Sequence, residues 1–143
     1  MKVIQLAGRS NSGKTTFIKK LIPELNKVGP VGVIKHLGDH DYILEKGKDS
    51  TVFFEAGAHI SIGIDSTKSV IALHNDSLEE MLTFLFRQGI SFAVIEGFKK
   101  RSFKKIVLGE LETENSLLIN PDIPTVLNAL DLFDDFYPQA LTE

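Results

Sequence analysis

The sequence predicts an α/β fold, with a mostly parallel central sheet flanked by helices in three layers. Three observations carry this expectation. Short apolar runs at residues 3–7, 31–34 and 92–95 read as strands. Between them the apolar spacing changes to i, i+3, i+4, i+7, at Ile18, Leu21, Ile22 and Leu25 and again at Leu78, Met81, Leu82 and Leu85, which marks helix faces. The run Val31-Gly32-Val33-Ile34 is apolar on both faces, as strands of a helix-covered parallel sheet are.

The elements follow in order. The first strand, 3–7, ends at Gly8. A helix opens at Thr15, and Pro23 should kink or end it unless the apolar face continues past the bend. Gly29-Pro30 closes that segment. After the second strand, residues 35–48 are polar, contain Gly38 and Gly47, and read as a loop. A short helix is expected at 50–58, ending at Gly57, then two strands at 59–64 and 69–73 joined around Asp65-Ser66. Ser77 with Glu80 forms a capping box for a helix that ends near Gly89. The strand at 92–95 ends in Glu96-Gly97. Further strands are expected at 105–108 and 117–119, with another candidate at 125–127, and a C-terminal helix at 131–137. The late strands leave room for some mixed pairing. The 143 residues fit one domain with one core, and no repeat or linker marks a boundary, so a single domain over 1–143 is expected.

Composition narrows the class. Hydrophobic residues make up 43% and charged residues 24%, a globular balance. A net charge of −3 argues against general nucleic-acid binding. With no cysteine, disulfides and thiolate metal sites are excluded, and a reducing compartment is the natural reading. The apolar start is too short and interrupted for a signal peptide, and no stretch approaches the ~20 apolar residues that span a bilayer. A cytoplasmic protein without a membrane segment is expected. The basic run Lys99-Lys100-Arg101 with Lys104-Lys105 reads either as a solvated loop or as a clamp for an anion.

The chemistry concentrates in Gly8-Arg9-Ser10-Asn11-Ser12-Gly13-Lys14-Thr15, a Gly-x4-Gly-Lys-Thr pattern between a predicted strand and a predicted helix. Gly8 and Gly13 let the backbone bend, so the amides of Ser10, Asn11 and Ser12 can converge on phosphate oxygens, and the helix adds the positive end of its dipole. Lys14 can reach the β- and γ-phosphates, the Thr15 hydroxyl can ligate Mg²⁺, and Thr16 can approach the α-phosphate. The fold class sharpens to a P-loop NTPase, and the site to a triphosphate with magnesium. Glu96 should emerge at the carboxyl edge of the sheet, where open α/β sheets bind ligands, and can hold a magnesium-bound water; alternatively it is a solvated strand-end acid. Asp49 is read as a second magnesium or water-positioning carboxylate, as the N-cap of the short helix, or as both at once. His36, Asp39, His40 and Asp41 carry metal-ligand chemistry, but Gly38 and the polar context favour a phosphate-sensing loop.

Together these segments resemble the MobB family of molybdopterin-guanine dinucleotide biosynthesis adapter proteins. The resemblance rests on Ser10-Asn11-Ser12-Gly13-Lys14-Thr15-Thr16, Val33-Ile34-Lys35-His36, His40-Asp41-Tyr42, Gly47-Lys48-Asp49-Ser50, Glu55-Ala56-Gly57-Ala58 and Glu96-Gly97-Phe98-Lys99. It implies GTP as the nucleotide, Mg²⁺, a homodimer, low GTPase activity, and as partner a MobA-like molybdopterin guanylyltransferase or a molybdenum enzyme. Lys14, Glu96 and Asp49 would then be the catalytic residues, and Thr15, Glu96 and Asp49 the metal-binding ones. The chain departs from the family at Leu37-Gly38, which interrupts the His/Asp-rich run, and the Asn-Lys-x-Asp base-specifying element is absent; neither Asn120-Pro121-Asp122 nor Asn128 is assigned to guanine.

Two other readings share the scaffold. A small-molecule kinase would need an acceptor pocket and usually an arginine-rich lid, and arginine occurs only at positions 9, 87 and 101. A nucleotide-gated binding adapter without meaningful hydrolysis could dock through residues 98–103, where phenylalanine mixes with lysine and arginine.

Overall fold

Strands that are apolar on both sides must be covered on both sides. In the computed structural model, which describes residues 1–38 and 40–140, the chain groups into two compact units. One is Met1–Gly38 with Leu78–Glu143, the other Asp39–Ser77.

The first unit is built on a sheet in the order β2-β5-β1-β6-β7, comprising β1 (Lys2–Ala7), β2 (Val31–Lys35), β5 (Phe92–Glu96), β6 (Lys105–Val107) and β7 (Ser116–Ile119). All these neighbours run parallel. Alternation along β1 divides the core. Ile4 and Leu6 face helix α1 (Lys14–Asn26), packing with Ile18, Leu21, Leu25, Val94 and Ile106. Val3 faces the other way, with Ala93 and Ile95, against Leu78 and Leu82 of α3 (Leu78–Arg87). Helix, sheet and helix therefore form three layers around a mostly parallel sheet. α1 runs through Pro23, and its apolar face does continue, since Leu25 is fully buried. β2 is the sheet edge, so Val33 keeps 45% of its surface exposed although the run is apolar on both faces.

Two expected elements take another form. Residues 125–127 are not a strand but part of α4 (Ile123–Asn128). The Asp122 carboxylate accepts the Thr125 N–H at 2.9 Å, Pro124 occupies the first turn, and Val126 is buried. A good N-cap thus overrides the β propensity of Thr-Val-Leu. Residues 131–137 do not form a helix either. A 3₁₀ turn at Leu130–Leu132 leads into β8 (Asp134–Asp135), which pairs antiparallel with Lys2 and Val3 of β1. The Phe136 N–H donates to the Met1 carbonyl at 2.8 Å, and Phe133 is buried. Free hydrogen-bonding groups on the first half of β1 capture this segment, a pairing that local periodicity cannot reveal.

The basic segment is only partly solvated. Lys105 is 1% exposed and donates to the carbonyls of Arg101 at 2.8 Å, Phe103 at 3.0 Å and Glu114 at 3.3 Å. Burial lowers its pKa, opposed by the charges of Glu114 and Asp134. Arg101 pairs with Glu79. Phe98 and Phe103 pack against the α3 core cluster, so residues 98–103 do not present both phenylalanines outward as a docking strip.

The second unit holds α2 (Asp49–Glu55) and a hairpin of β3 (Ile60–Ile64) and β4 (Ser69–Leu73). The buried Ser61 donates its hydroxyl to the Ser50 carbonyl at 2.8 Å, tying β3 to α2. The opposite face of the hairpin carries Ile60, Ile62, Ile64 and Ile71, all exposed. Among the described residues, no helix is long and apolar enough to cross a membrane.

Asp65 organises the hairpin turn. Its Oδ1 accepts the N–H groups of Thr67 at 2.8 Å and Lys68 at 2.9 Å, and its other oxygen pairs with the Lys68 ammonium. The Lys68 side chain first, then the backbone donors, lower the Asp65 pKa to about 2. A depressed carboxyl pKa stabilises the fold above the ordinary value of 3.8 and loses that effect as pH falls toward 2. In an NMR titration the Asp65 carboxyl should show a midpoint near 2, with hairpin-turn amides shifting only below about pH 4. An ordinary midpoint would contradict this turn geometry.

Candidate functional site

The site starts where β1 ends. A Cβ on Gly8 would meet the Ser12 hydroxyl and, at 2.8 Å, the Leu108 carbonyl oxygen, so the chain turns there only with glycine. Asn11 and Gly13 take φ of 61° and 88°, which curls residues 8–13 over the start of α1. The Ser12 N–H closes this curl onto the Arg9 carbonyl at 3.2 Å. Gly13 is the N-cap and brings no side-chain acceptor to the first amides of the helix. The Ser12 hydroxyl oxygen is buried with no hydrogen-bond partner among the described residues. A glycine-lined curl, an uncapped helix start and an orphaned buried hydroxyl together fit the oxygen-rich surface of a phosphate chain.

Lys14, the first residue of α1, folds back over the loop. Its ammonium donates to the carbonyls of Gly8 at 2.8 Å and Arg9 at 2.9 Å and lies 4.0 Å from Glu96 Oε1. Glu96 ends β5 in register with Leu6 of β1 and Lys35 of β2. Its side chain is 13% exposed, and its second oxygen is 3.3 Å from the Lys35 ammonium. A largely buried carboxylate is costly unless paired, and here two cations pair it.

The backbone after Glu96 is held in an uncommon shape. Gly97 has φ 93°, and a Cβ there would come within 2.9 Å of His36 Cβ. Phe98 takes φ 54°, a left-handed conformation that costs on the order of 1–3 kcal/mol. Fully buried Gln5 offsets this by donating its amide to the carbonyls of Gly97 at 2.9 Å and Phe98 at 3.0 Å. The His36 N–H donates to the Glu96 carbonyl at 2.9 Å, and its ring lies 4.8 Å from that of Phe98.

The structure thus brings together the loop, Lys14 and Glu96, with Thr15 and Thr16 in the first turn of α1. Asp49 belongs to the second unit. It is not an N-cap: Lys48 holds that position and Asp49 is the first helical residue, an acid in the first turn. It lines an open cleft of about 470 Å³ with Gly47, Lys48, Ser50, Phe53, Ile62 and Gly63. The histidine run is divided as well, His36 in the first unit, His40 and Asp41 in the second, and Asp39 outside the described residues. Among the described residues, no three His, Cys, Asp or Glu side chains gather as a metal site. A Mg²⁺ ion held with phosphates takes most of its ligands from phosphate and water and needs no such cluster.

Asn120 and Asp122 are both engaged. Asn120, at φ 45°, accepts the Gly109 N–H at 2.7 Å and donates to the Gly109 carbonyl at 3.3 Å. Asp122 caps α4, and its hydrogen bonds from Thr125 lower its pKa. Sequence reasoning did not single out Gln5 or Lys35 as site residues. The available signal was a glutamine inside an apolar strand one turn from the loop, and a lysine ending an apolar edge strand.

A glycine loop between the central strand and a helix, with an acid on the neighbouring parallel strand, defines the P-loop NTPase fold class. A sequence profile of the MobB family, described as molybdopterin guanine dinucleotide synthesis protein B, matches residues 3–129, and the chain belongs to that family. It is 36% identical over 113 residues to the Escherichia coli molybdopterin-guanine dinucleotide biosynthesis adapter protein, covering 74% of this chain and 64% of that one. A Methanocaldococcus jannaschii relative is 35% identical over 100 residues, 70% of this chain and 42% of its own. The chain therefore spans less than two thirds of the length of both. The crystal structure of Bacillus subtilis MobB superposes with a TM-score of 0.71 at 26% identity, over 83% of this chain and 78% of that one. A MobB homolog from Bacillus stearothermophilus shares the fold, with a TM-score of 0.67 at 18% identity, over 92% and 99%.

Replacing Gln5 by Met should leave the Gly97 and Phe98 carbonyls unpaired and destabilise the protein by about 1–3 kcal/mol in urea unfolding. Unchanged stability would show that Gln5 does not hold this turn.

Proposed function

We propose that this chain is a GTP-binding accessory protein, a weak GTPase, acting in the biosynthesis or delivery of molybdopterin guanine dinucleotide. The observation that carries the nucleotide part is the Gly8–Thr15 curl with Lys14 set 4.0 Å from Glu96. Family membership carries the cofactor part. In this reading the loop amides and Lys14 hold the phosphates, Thr15 ligates Mg²⁺, and Glu96 accepts from a metal-bound water. Mg²⁺ supplies charge neutralisation of the phosphates. Asp49, in the second unit, stays in the proposal as a second magnesium or water-positioning carboxylate.

The kinase alternative is disfavoured by the arginines, since Arg101 is paired with Glu79, Arg87 ends α3 and Arg9 belongs to the glycine loop, which leaves none for an arginine-rich lid. The binding-adapter alternative differs in hydrolysis alone, so single-turnover GTP cleavage with and without a MobA-like guanylyltransferase or a molybdenum enzyme separates the two. A cytoplasmic location belongs to the same proposal.

Replacing Lys14 by Ala should weaken GTP binding at least about a hundredfold in calorimetry, because a charge-assisted contact to two phosphates is lost (about 3 kcal/mol). Equal affinity in the two proteins would sink the nucleotide reading.

A homodimer is part of the proposal, and the face of Ile60, Ile62, Ile64 and Ile71 supports it. Four exposed isoleucines on a two-stranded hairpin are the kind of surface that a second copy covers, since such hairpins are marginal alone. Ile62, 55% exposed, replaced by Asp should shift the protein to monomer in sedimentation equilibrium. A dimer of unchanged affinity would place the interface elsewhere.

A further inference from the structure

Lys35 lies outside the loop motif, at the end of β2, in register with Glu96. Its ammonium is 3.3 Å from Glu96 Oε2, while that of Lys14 is 4.0 Å from Oε1 of the same carboxylate. Two cations therefore flank one acid at the mouth of the loop. They are held very differently. Lys14 has only 15% of its side chain exposed and is tied to two loop carbonyls. Lys35 has 54% exposed, and the ion pair with Glu96 is its one described side-chain contact. A long, half-solvated lysine can turn away from a single ion pair at small cost.

The nucleotide reading gives Glu96 a second task, as acceptor from a magnesium-bound water. Doing so brings a divalent cation to the carboxylate and weakens its hold on Lys35 by like-charge repulsion. The released ammonium would then be free to reach toward the terminal phosphate of a triphosphate held by the loop. Arg101 is committed to Glu79 and Arg87 ends α3, while Lys14 and the exposed Arg9 belong to the loop itself, so Lys35 is a cation supplied from a neighbouring strand.

We propose that Lys35 reads the terminal phosphate, paired with Glu96 in the nucleotide-free protein and transferred to the γ-phosphate when a triphosphate binds. A lysine suits this role, because it acts as a compact point charge that reorients freely. Its position makes it a discriminator between triphosphate and diphosphate, and an electrostatic stabiliser of the phosphoryl group in transfer. This inference rests on the nucleotide reading above.

The test is calorimetric titration of wild type, Lys35→Met and Lys35→Arg with GDP and with a non-hydrolysable GTP analogue, all with Mg²⁺. Wild type should prefer the analogue. Lys35→Met should lose about tenfold in affinity for the analogue, the scale of one charge-assisted contact, and less than about twofold for GDP. Lys35→Arg should retain most of the preference. Equal loss for both nucleotides, or no loss for either, overturns the proposal. Melting curves check folding, and Lys35→Gln, which keeps a donor for Glu96, replaces Lys35→Met if that variant fails to fold. If wild type binds neither nucleotide, the nucleotide reading itself falls. Binding of both by wild type with an unchanged Lys35→Met profile removes only the role of Lys35.

Discussion

The first unit depends on one strand having hydrogen-bonding partners along both of its sides. β1 pairs with β5 over Lys2 to Leu6, with β6 over Gln5 to Ala7, and with β8 over Lys2 and Val3. Covered by α1 on one face and α3 on the other, it is buried from Val3 to Leu6. Its end at Ala7 is thereby immobilised, and whatever follows is launched from a fixed point. A loop that must present backbone amides to an anion needs such a foundation, because small displacements of its donors weaken every contact at once.

The parallel arrangement has a second consequence. Strand ends that point the same way bring the residues after β1, β2, β5 and β6 to one edge. Polar side chains hold the turns near that edge. Gln5 pins Gly97 and Phe98, and the Asn120 amide pins Gly109. On the β6 side, Lys105 gathers three carbonyls that would otherwise be unsatisfied. Each contributes little net energy, but losing Gln5 or Lys105 leaves part-buried carbonyls without a donor. The turns that carry Glu96 and flank Gly8 are therefore specified by groups some distance from the chemistry.

Much of this was legible in the residues. The strands near 3–7, 31–34 and 92–95, the helix from Thr15 and the hairpin about Asp65 follow from apolar period and turn chemistry, which are local properties. The curl of the glycine loop was legible for the same reason, since its geometry comes from Gly8, Gly13 and the helix they open. The failures also have a common cause. Thr125-Val126-Leu127 has the composition of a strand, but the Asp122 cap and Pro124 make it helical. Residues 131–137 have helical spacing, but the open flank of β1 claims Asp134 and Asp135 as a strand. Lys105 looked like part of a solvated basic run, yet the meeting of two loops buries it.

The sequence by itself determined the loop, the layer order and the family, because glycine positions, apolar period and motif spacing are carried by the chain wherever it folds. Tertiary structure alone decided which charges meet. Lys35 and Glu96 lie far apart in sequence, and neither belongs to a local motif that points to the other. The register of β2 on β5 sets them side by side, and that of β5 on β1 brings Glu96 to Lys14. Strand register is fixed by the packing of whole faces against α1 and α3, an energy summed over many residues, and no single position in the chain records it.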